Sequence, residues 1–571
     1  MHRDWRIYCC MKRVLSLLLS LLLGLCGCGP LDTVARSYLR YDRPVQGSHG
    51  HTPFSDMILA YPDPDEVEAI LDEALQNVTA ADNEKGFIDI YEAQTRAYND
   101  LVSATSLAYV RYCQDITDDQ RKAEYTKLNS ALYAIQYRLA RLEKVLMDRW
   151  GYHRERGGDY VDALDRMTRQ SEERAALRAR EDELCRQYER LETEYRLTYG
   201  GRSWSMAELM GDEDLSLPSF LDALEQFEAG KNQAAGTLYV ELMALRKQMA
   251  QEAGFPSYAA SQYDTFGREY SPQQALAAAK IVKRVFVPLY IRLRERCEND
   301  LRYLSGATFD EDQFIAAMEQ SVEHILPGAG EAWRYMLSYG LYDSRPSERK
   351  MGGSFTTYFS AYGCPFLFTQ WKDDASSVFT VIHEFGHFLS YYLNPEGTYY
   401  GSENLDLAET DAQGFELLML QEYDALFGRY AHAARLCFLT NALYAILSGF
   451  MEDEFQQRAY LLRDPTGNDL NELYAEVAAS YGFDQLFGYE GREWTEIGHT
   501  FLFPFYYVSY GVSMLGAMTL MENGGKGYAQ LVRRRAGTSF MDAVGTNVLE
   551  EESIRQAAAW AERTVDAWLD E

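Results

Sequence analysis

From about Asp63 to the C-terminus the apolar residues recur at helical steps, and this leaves room for little but a mainly α fold. Leu128, Leu132, Ile135, Leu139, Leu142 and Leu146 alternate steps of four and three, the seam of a long helix packed on a neighbour. Gly151 stops it, and Gly157-Gly158 marks a turn region. A second long helix carries Leu177, Leu184, Tyr188, Leu191 and Tyr195 on one face. The pair is expected to form an antiparallel helical hairpin with a packing role. A softer stretch near Gly200–Pro218 divides this helical lobe from the rest. Strand-like sequence is scarce. The clearest case is Pro365–Trp371, whose leading proline suits an edge strand.

The N-terminus reads differently. Met11-Lys12-Arg13 precedes an apolar run, Val14–Leu25, that is short for a bilayer span but suits a signal peptide. The run ends in Leu25-Cys26-Gly27-Cys28, which resembles a bacterial lipobox with Cys28 as the lipidated residue. The first ten residues read as an extended basic region or an upstream start. Residues 29–62, rich in Gly, Pro, Ser and His, are expected to be a flexible tether. The expected location is therefore extracytoplasmic, lipid-anchored to a bacterial cell membrane, with simple secretion as the alternative. The formal net charge of −31 argues against nucleic acid as a partner. Beyond Cys28 the cysteines are five and widely spaced, which suggests neither a disulfide framework nor a cysteine metal site.

One motif carries chemistry. His383-Glu384-Phe385-Gly386-His387 is H-E-x-x-H. On a helix, histidines four apart share a face, so both imidazoles reach one ion. Glu384 lies close to that face and can take a proton from water. Zinc suits this set, because it lowers the pKa of a bound water to about 7. Val378, Phe379, Val381, Ile382, Phe385, Phe388 and Leu389 surround the motif, as expected of a buried helix. Asp374 or Ser376 is a suitable N-cap. Gly386, costly inside a helix by about 1 kcal/mol, hints at close packing by another element. A catalytic zinc usually takes three protein ligands. Residues 404–420 read as a second helix with Asp406, Glu409, Gln413 and Glu416 on one stripe. A solvated face would give the same stripe. Behind an H-E-x-x-H helix it is the best source of the third ligand, with Glu409 first choice and Asp406 the rival. Glu416, two turns on, is placed to hydrogen-bond a liganding imidazole.

These residues resemble the oligoendopeptidase F and thimet oligopeptidase family of zinc peptidases. Three stretches carry the likeness. They are Lys350–Phe355 leading into Pro365–Trp371; His383–His387 followed by Glu409–Glu416; and Trp494, His499 and Pro504–Tyr510. The resemblance implies a two-lobed helical clamshell with a deep central channel and a small β-sheet beside the H-E-x-x-H helix. It implies one Zn2+ ion held by His383, His387 and Glu409, and cleavage of short unfolded oligopeptides. It implies that His499 and Tyr510, with Tyr507, donate hydrogen bonds to the oxyanion. Tyrosine is abundant, with 42 residues, so Tyr506 and Tyr507 equally suit core packing. The Pro365–Trp371 strand is expected to add extended substrate as a further strand. Ala412, Ser390 and Ser509 stand where relatives frequently have Ser, His and Asp.

The expected organisation is a signal peptide over 1–28, a tether over 29–62, an N-terminal helical lobe over 63–215 and a catalytic domain over 216–571. The expected function is zinc-dependent endopeptidase action on oligopeptides. The alternatives are a dipeptidyl-carboxypeptidase-like exopeptidase and a non-catalytic peptide-binding lipoprotein.

Overall fold

The computed structural model describes residues 49–58, 63–80, 100–151, 172–212, 214–394, 404–522, 524–534 and 538–569. Cys28 and the signal-peptide expectation lie outside these residues. The fold is mainly α, as the periodicity predicts. Ten helices carry the argument: α1 (Pro64–Ala80), α2 (Asp119–Trp150), α3 (Glu172–Glu194), α4 (Leu217–Glu252), α5 (Pro272–Ser305), α6 (Ala375–Leu393), α7 (Leu405–Met419), α8 (Ala431–Leu461), α9 (Val508–Met521) and α10 (Glu551–Leu569).

The seam residues Leu128 to Leu146 are buried, but they do not face α3. They pack with Val67 and Leu71 of α1 and with Leu101 and Val102 of the helical residues 100–114. Leu184 and Tyr188 of α3 belong instead to the main core, and α3 packs along α4. The expected hairpin is thus two separate pairings. A 4-3 seam shows that a helix has a neighbour, not which one. Leu107, Val110 and Cys113 also join the main core, so the 100–114 helix bridges the two cores.

In the larger core α6 packs on α7, α7 on α9, α9 on α8 and α8 on α5, with α10 covering α5 and α9. Helix α8 is buried on nearly every side and forms its centre. Gly449 of α8 and Gly511 of α9 let two backbones touch. A Cβ on Gly449 would stand 2.9 Å from the Tyr507 carbonyl oxygen, and one on Gly511 would stand 3.1 Å from that of Ile446.

Two small sheets are present among the described residues. β1 (Leu197–Tyr199) pairs with β2 (Arg202–Trp204). β3 (Tyr342–Asp343), β4 (Phe355–Phe359) and β5 (Cys364–Phe368) form the second, in the order β3-β5-β4. The proline-led strand is therefore central, not an edge. Leu367 N–H donates to Leu341 O and Thr369 N–H to Asp343 O, both at 2.9 Å, so odd-numbered amides face β3. Pro365 falls before that pairing begins, and its missing N–H breaks no bond. β3 and β4 are the edge strands, and β4 packs against α6. Lys350 fastens this sheet: its buried Nζ donates to Asp343 O (3.0 Å), Asp343 Oδ1 (3.1 Å) and Thr369 O (2.5 Å).

Of the expected tether only residues 49–58 lie within the described residues, and these pack on the body. Phe54 N–H donates to Tyr339 O at 2.9 Å, Gly50 N–H to Gly363 O at 3.1 Å, and Met57 is buried. The Phe54 ring packs 4.3 Å from that of Phe366, on the sheet face opposite Thr356. His49 stacks at 3.8 Å on Tyr392 in the last turn of α6. Residues 49–58 thus strap the catalytic body, because their few apolar groups complete the far side of the sheet.

Candidate metal centre

Helix α6 begins at Asp374, whose carboxylate accepts the Ser377 N–H at 2.8 Å. Its apolar surroundings bury the whole motif, with His383 and His387 about 5% exposed and Glu384 1%. A Cβ on Gly386 would lie 2.7 Å from Ala412 Cα and 3.1 Å from both Ala412 O and Phe415 Cβ. The glycine therefore lets α6 and α7 meet backbone to backbone, and this contact sets the spacing of the site.

Helix α7 starts at Asn404, whose side chain accepts the Leu407 N–H. Its polar stripe is not a solvated face: Asp406, Glu409 and Gln413 are all buried. The side-chain ligand atoms of His383, His387 and Glu409 lie within 4.8 Å of one another. His383 Nε2 and Glu409 Oε2 are 3.6 Å apart. Two ligand atoms on a tetrahedral zinc with bonds near 2.0–2.1 Å stand about 3.4 Å apart, so the donor set fits that ion. Nδ1 of His383 lies 3.3 Å from Glu416 Oε2. An Nδ1–H donated there leaves Nε2 with its lone pair toward the ion. Tyr506 O–H donates to Glu409 Oε1 at 3.1 Å. Asp406, the rival ligand, faces Arg268, with 3.9 Å between Oδ1 and Nε.

Glu416→Gln is expected to weaken zinc binding about tenfold, because a neutral amide replaces the carboxylate that orients the imidazole and raises its basicity. Competition with a zinc indicator measures this, and unchanged affinity would count against the role.

Glu384 is held by a residue the sequence did not reveal. Thr356 Oγ1 of β4 lies 2.8 Å from Glu384 Oε2 and 2.9 Å from its backbone oxygen. Alternation along β4 turns Thr356 and Tyr358 toward α6 and Phe355 and Phe359 away. Burial pushes the Glu384 carboxyl up to about 7, against the opposing pull of His383 and the Thr356 hydrogen bond. Burial likewise raises Glu409 to about 7 and lowers His387 well below the usual imidazole value.

The third stretch sits beside this centre. The His499 ring lies 5.2 Å from the rings of Tyr506 and Tyr507 and 6.2 Å from that of Tyr510. His499 keeps some exposed surface but is enclosed by protein, which lowers its imidazole to about 4. Gln413 Nε2 donates to Tyr510 O at 3.2 Å, tying α9 to the helix that bears Glu409. Buried Arg246 of α4 grips the short helix Gly498–Leu502 by donating to Phe501 O at 2.5 Å.

The three departures from the family pattern have local explanations in part. Ser390 Oγ donates to Asp411 Oδ2 at 2.6 Å, and Arg534 holds both Asp411 oxygens. Ala412 is buried, with its backbone against Gly386. Ser509 accepts from Arg268 at 2.9 Å.

Residues 54–149 match the peptidase M3 N-terminal domain family. Oligopeptidase PepF of Bacillus subtilis (strain 168) is 25% identical over 279 residues, covering 43% of this chain and 41% of the relative. The aligned part thus spans about two fifths of that relative's length. A crystal structure of a candidate oligoendopeptidase F shares the fold with a TM-score of 0.73 at 21% identity, over 90% of this chain and 99% of that one. PZ peptidase A, solved with an inhibitor, gives 0.71 at 20% identity, over 90% and 99%. The chain thus matches a peptidase M3 N-terminal domain over residues 54–149 and shares, over 90% of its length, the fold of a candidate oligoendopeptidase F.

Proposed function

We propose that the chain is a zinc-dependent endopeptidase that hydrolyses short, unfolded oligopeptides outside the cytoplasm. The reading is carried by three buried side chains, His383, His387 and Glu409, converging on one point with Glu384 beside them. When bound, one zinc ion supplies Lewis-acid activation of a water molecule and of the scissile carbonyl. The remaining chemistry belongs to the chain. Glu384 accepts the proton of the attacking water and passes it to the leaving amine. A carboxyl shifted toward neutrality suits both halves of that task. Thr356 fixes the Oε2 side of the carboxylate, so that proton transfer starts from one orientation. His499 is neutral at pH 7 and serves as an N–H donor to the developing oxyanion, with the hydroxyls of Tyr510 and Tyr507. Tyr506 steadies Glu409. The edge strand β4, beside α6, takes the substrate-pairing role expected of Pro365–Trp371, whose strand is central. Lipidation of Cys28 would place this activity at the outer face of the cell membrane.

Metal-stripped protein is expected to be inactive on a quenched fluorescent peptide and to recover with one equivalent of zinc. Product lengths from a peptide ladder should show internal cuts. Dipeptides released only from the C-terminus would move the reading to an exopeptidase. Binding without cleavage by zinc-loaded protein would make it a peptide-binding protein.

A pH dependence follows from the buried carboxyls. Glu384 and Glu409 are raised to about 7 in the fold from an ordinary value near 4.5. The metal-free fold therefore holds more protons than the unfolded chain between these values. Its stability from these groups is full below about pH 4.5 and is lost as pH rises through about 7. Zinc requires Glu409 ionised, so its affinity falls below about pH 7. The melting-temperature gain on adding zinc should thus grow from pH 5 to pH 8. A gain that shrinks over this range would contradict the assignment.

A further inference from the structure

Arg268 lies in the loop before α5, far from the motifs in sequence, yet its side chain is wholly buried. Its guanidinium donates to Phe505 O at 2.6 Å and to Ser509 Oγ at 2.9 Å. Asp406 Oδ1 stands 3.9 Å away, and the rings of Tyr263 and Phe266 face it at 4.4 and 5.0 Å. Burying a charge this deeply is costly unless it holds something specific in place.

What it holds is strained. Phe505 has φ +66°, in the left-handed region that a bulky residue rarely occupies. The conformation is gripped on both sides of the residue: Phe505 N–H donates to Gln456 Oε1 of α8 at 2.8 Å, and Phe505 O accepts from Arg268. The next residue is Tyr506, whose hydroxyl meets Glu409 Oε1. Tyr507 and Tyr510 follow, against His499. On α7, Asp406 and Glu409 are three residues apart on one face. One engages Arg268, and the other is the candidate ligand.

We infer that Arg268 is a positioning residue: with Asp406 behind it, it locks the strained Phe505 turn and so sets the tyrosine segment against the helix that bears Glu409. The inference rests on the peptidase reading above. It gives Asp406 a task other than metal binding, and it explains why a charged pair sits in the core beside the site. A lysine at 268 keeps a charge near Asp406, but its shorter side chain withdraws the donor that Nη2 presents to both Phe505 O and Ser509 Oγ.

The test uses the full zinc-loaded protein and Arg268→Lys, with Ser509→Ala as a second variant that removes one acceptor of Arg268 and keeps the Arg268–Asp406 pair. Hydrogen exchange and peptide kinetics are read together. Exchange in 503–510 should rise about tenfold while α8 stays protected. kcat on a quenched fluorescent peptide should fall about 100-fold with KM little changed, as for a misplaced catalytic group. Ser509→Ala should shift both in the same direction by less. A merely structural role would raise exchange across the whole body and lower the melting temperature, with kcat per zinc-loaded site unchanged. Unchanged exchange in 503–510 would overturn the inference, as would loosening of that segment with unchanged kcat. If Arg268→Lys does not fold, Ser509→Ala decides on the same criteria. Wild-type protein that holds zinc and cleaves no peptide would overturn the peptidase reading itself, whatever the exchange data show.

Discussion

Glu384→Gln is expected to keep one zinc per chain and to lose peptide turnover by about 10^4-fold, the upper range for removing a general base. Glutamine matches glutamate in volume, and its carbonyl oxygen still accepts the Thr356 hydroxyl, so the local packing should survive. What disappears is the group able to take the proton from water. The variant should also be no less stable than the parent above pH 7, because burial disfavours the ionised carboxylate that glutamine replaces. Turnover near the wild-type level, measured on a quenched fluorescent peptide at matched zinc content, would end the mechanism. Lost zinc together with lost turnover would instead assign Glu384 to metal binding.

Gly386→Ala is expected to cost about 3 kcal/mol of stability and to weaken zinc binding at least about tenfold. Helix propensity alone predicts the opposite, since alanine is favoured over glycine inside a helix by about 1 kcal/mol. The contact decides the sign. The new methyl would meet Ala412 Cα at 2.7 Å, and backbone cannot swing aside as a long side chain can. Helices α6 and α7 must separate, and with them the imidazoles of α6 and the carboxylate of α7. Thermal melting of the metal-free protein and indicator competition measure the two effects separately. Unchanged values in both would show that this contact does not set the spacing of the centre.

The convergence of the candidate ligands is legible in the sequence because it depends on short spacings that a helix fixes. Histidines at 383 and 387 share a face whatever the rest of the chain does. Glu409 and Glu416, seven residues apart, reach the same imidazole from two turns of α7. The centre's supports were not legible, because each comes from a distant segment. Thr356 is 28 residues from Glu384, and only the pairing of β4 with β5 brings it there. Arg268 approaches Phe505 over 237 residues of chain. Tyr506 suits packing and chemistry equally in sequence, since tyrosine is common in this chain and a hydroxyl's acceptor cannot be read from its neighbours. Pro365 misled for a definite reason. Proline reports a missing donor, which suits an edge strand but equally suits a central strand whose neighbour starts two residues later. The composition of 29–62 suggests a tether, yet within it Phe54 and Met57 dock residues 49–58.

Zinc K-edge X-ray absorption of the loaded protein addresses the central claim most directly. The account predicts a four-coordinate shell of nitrogen and oxygen donors at about 2.0–2.1 Å with the outer scattering of two imidazoles. A sulfur donor near about 2.3 Å, or a shell of oxygens with no imidazole scattering, would contradict it.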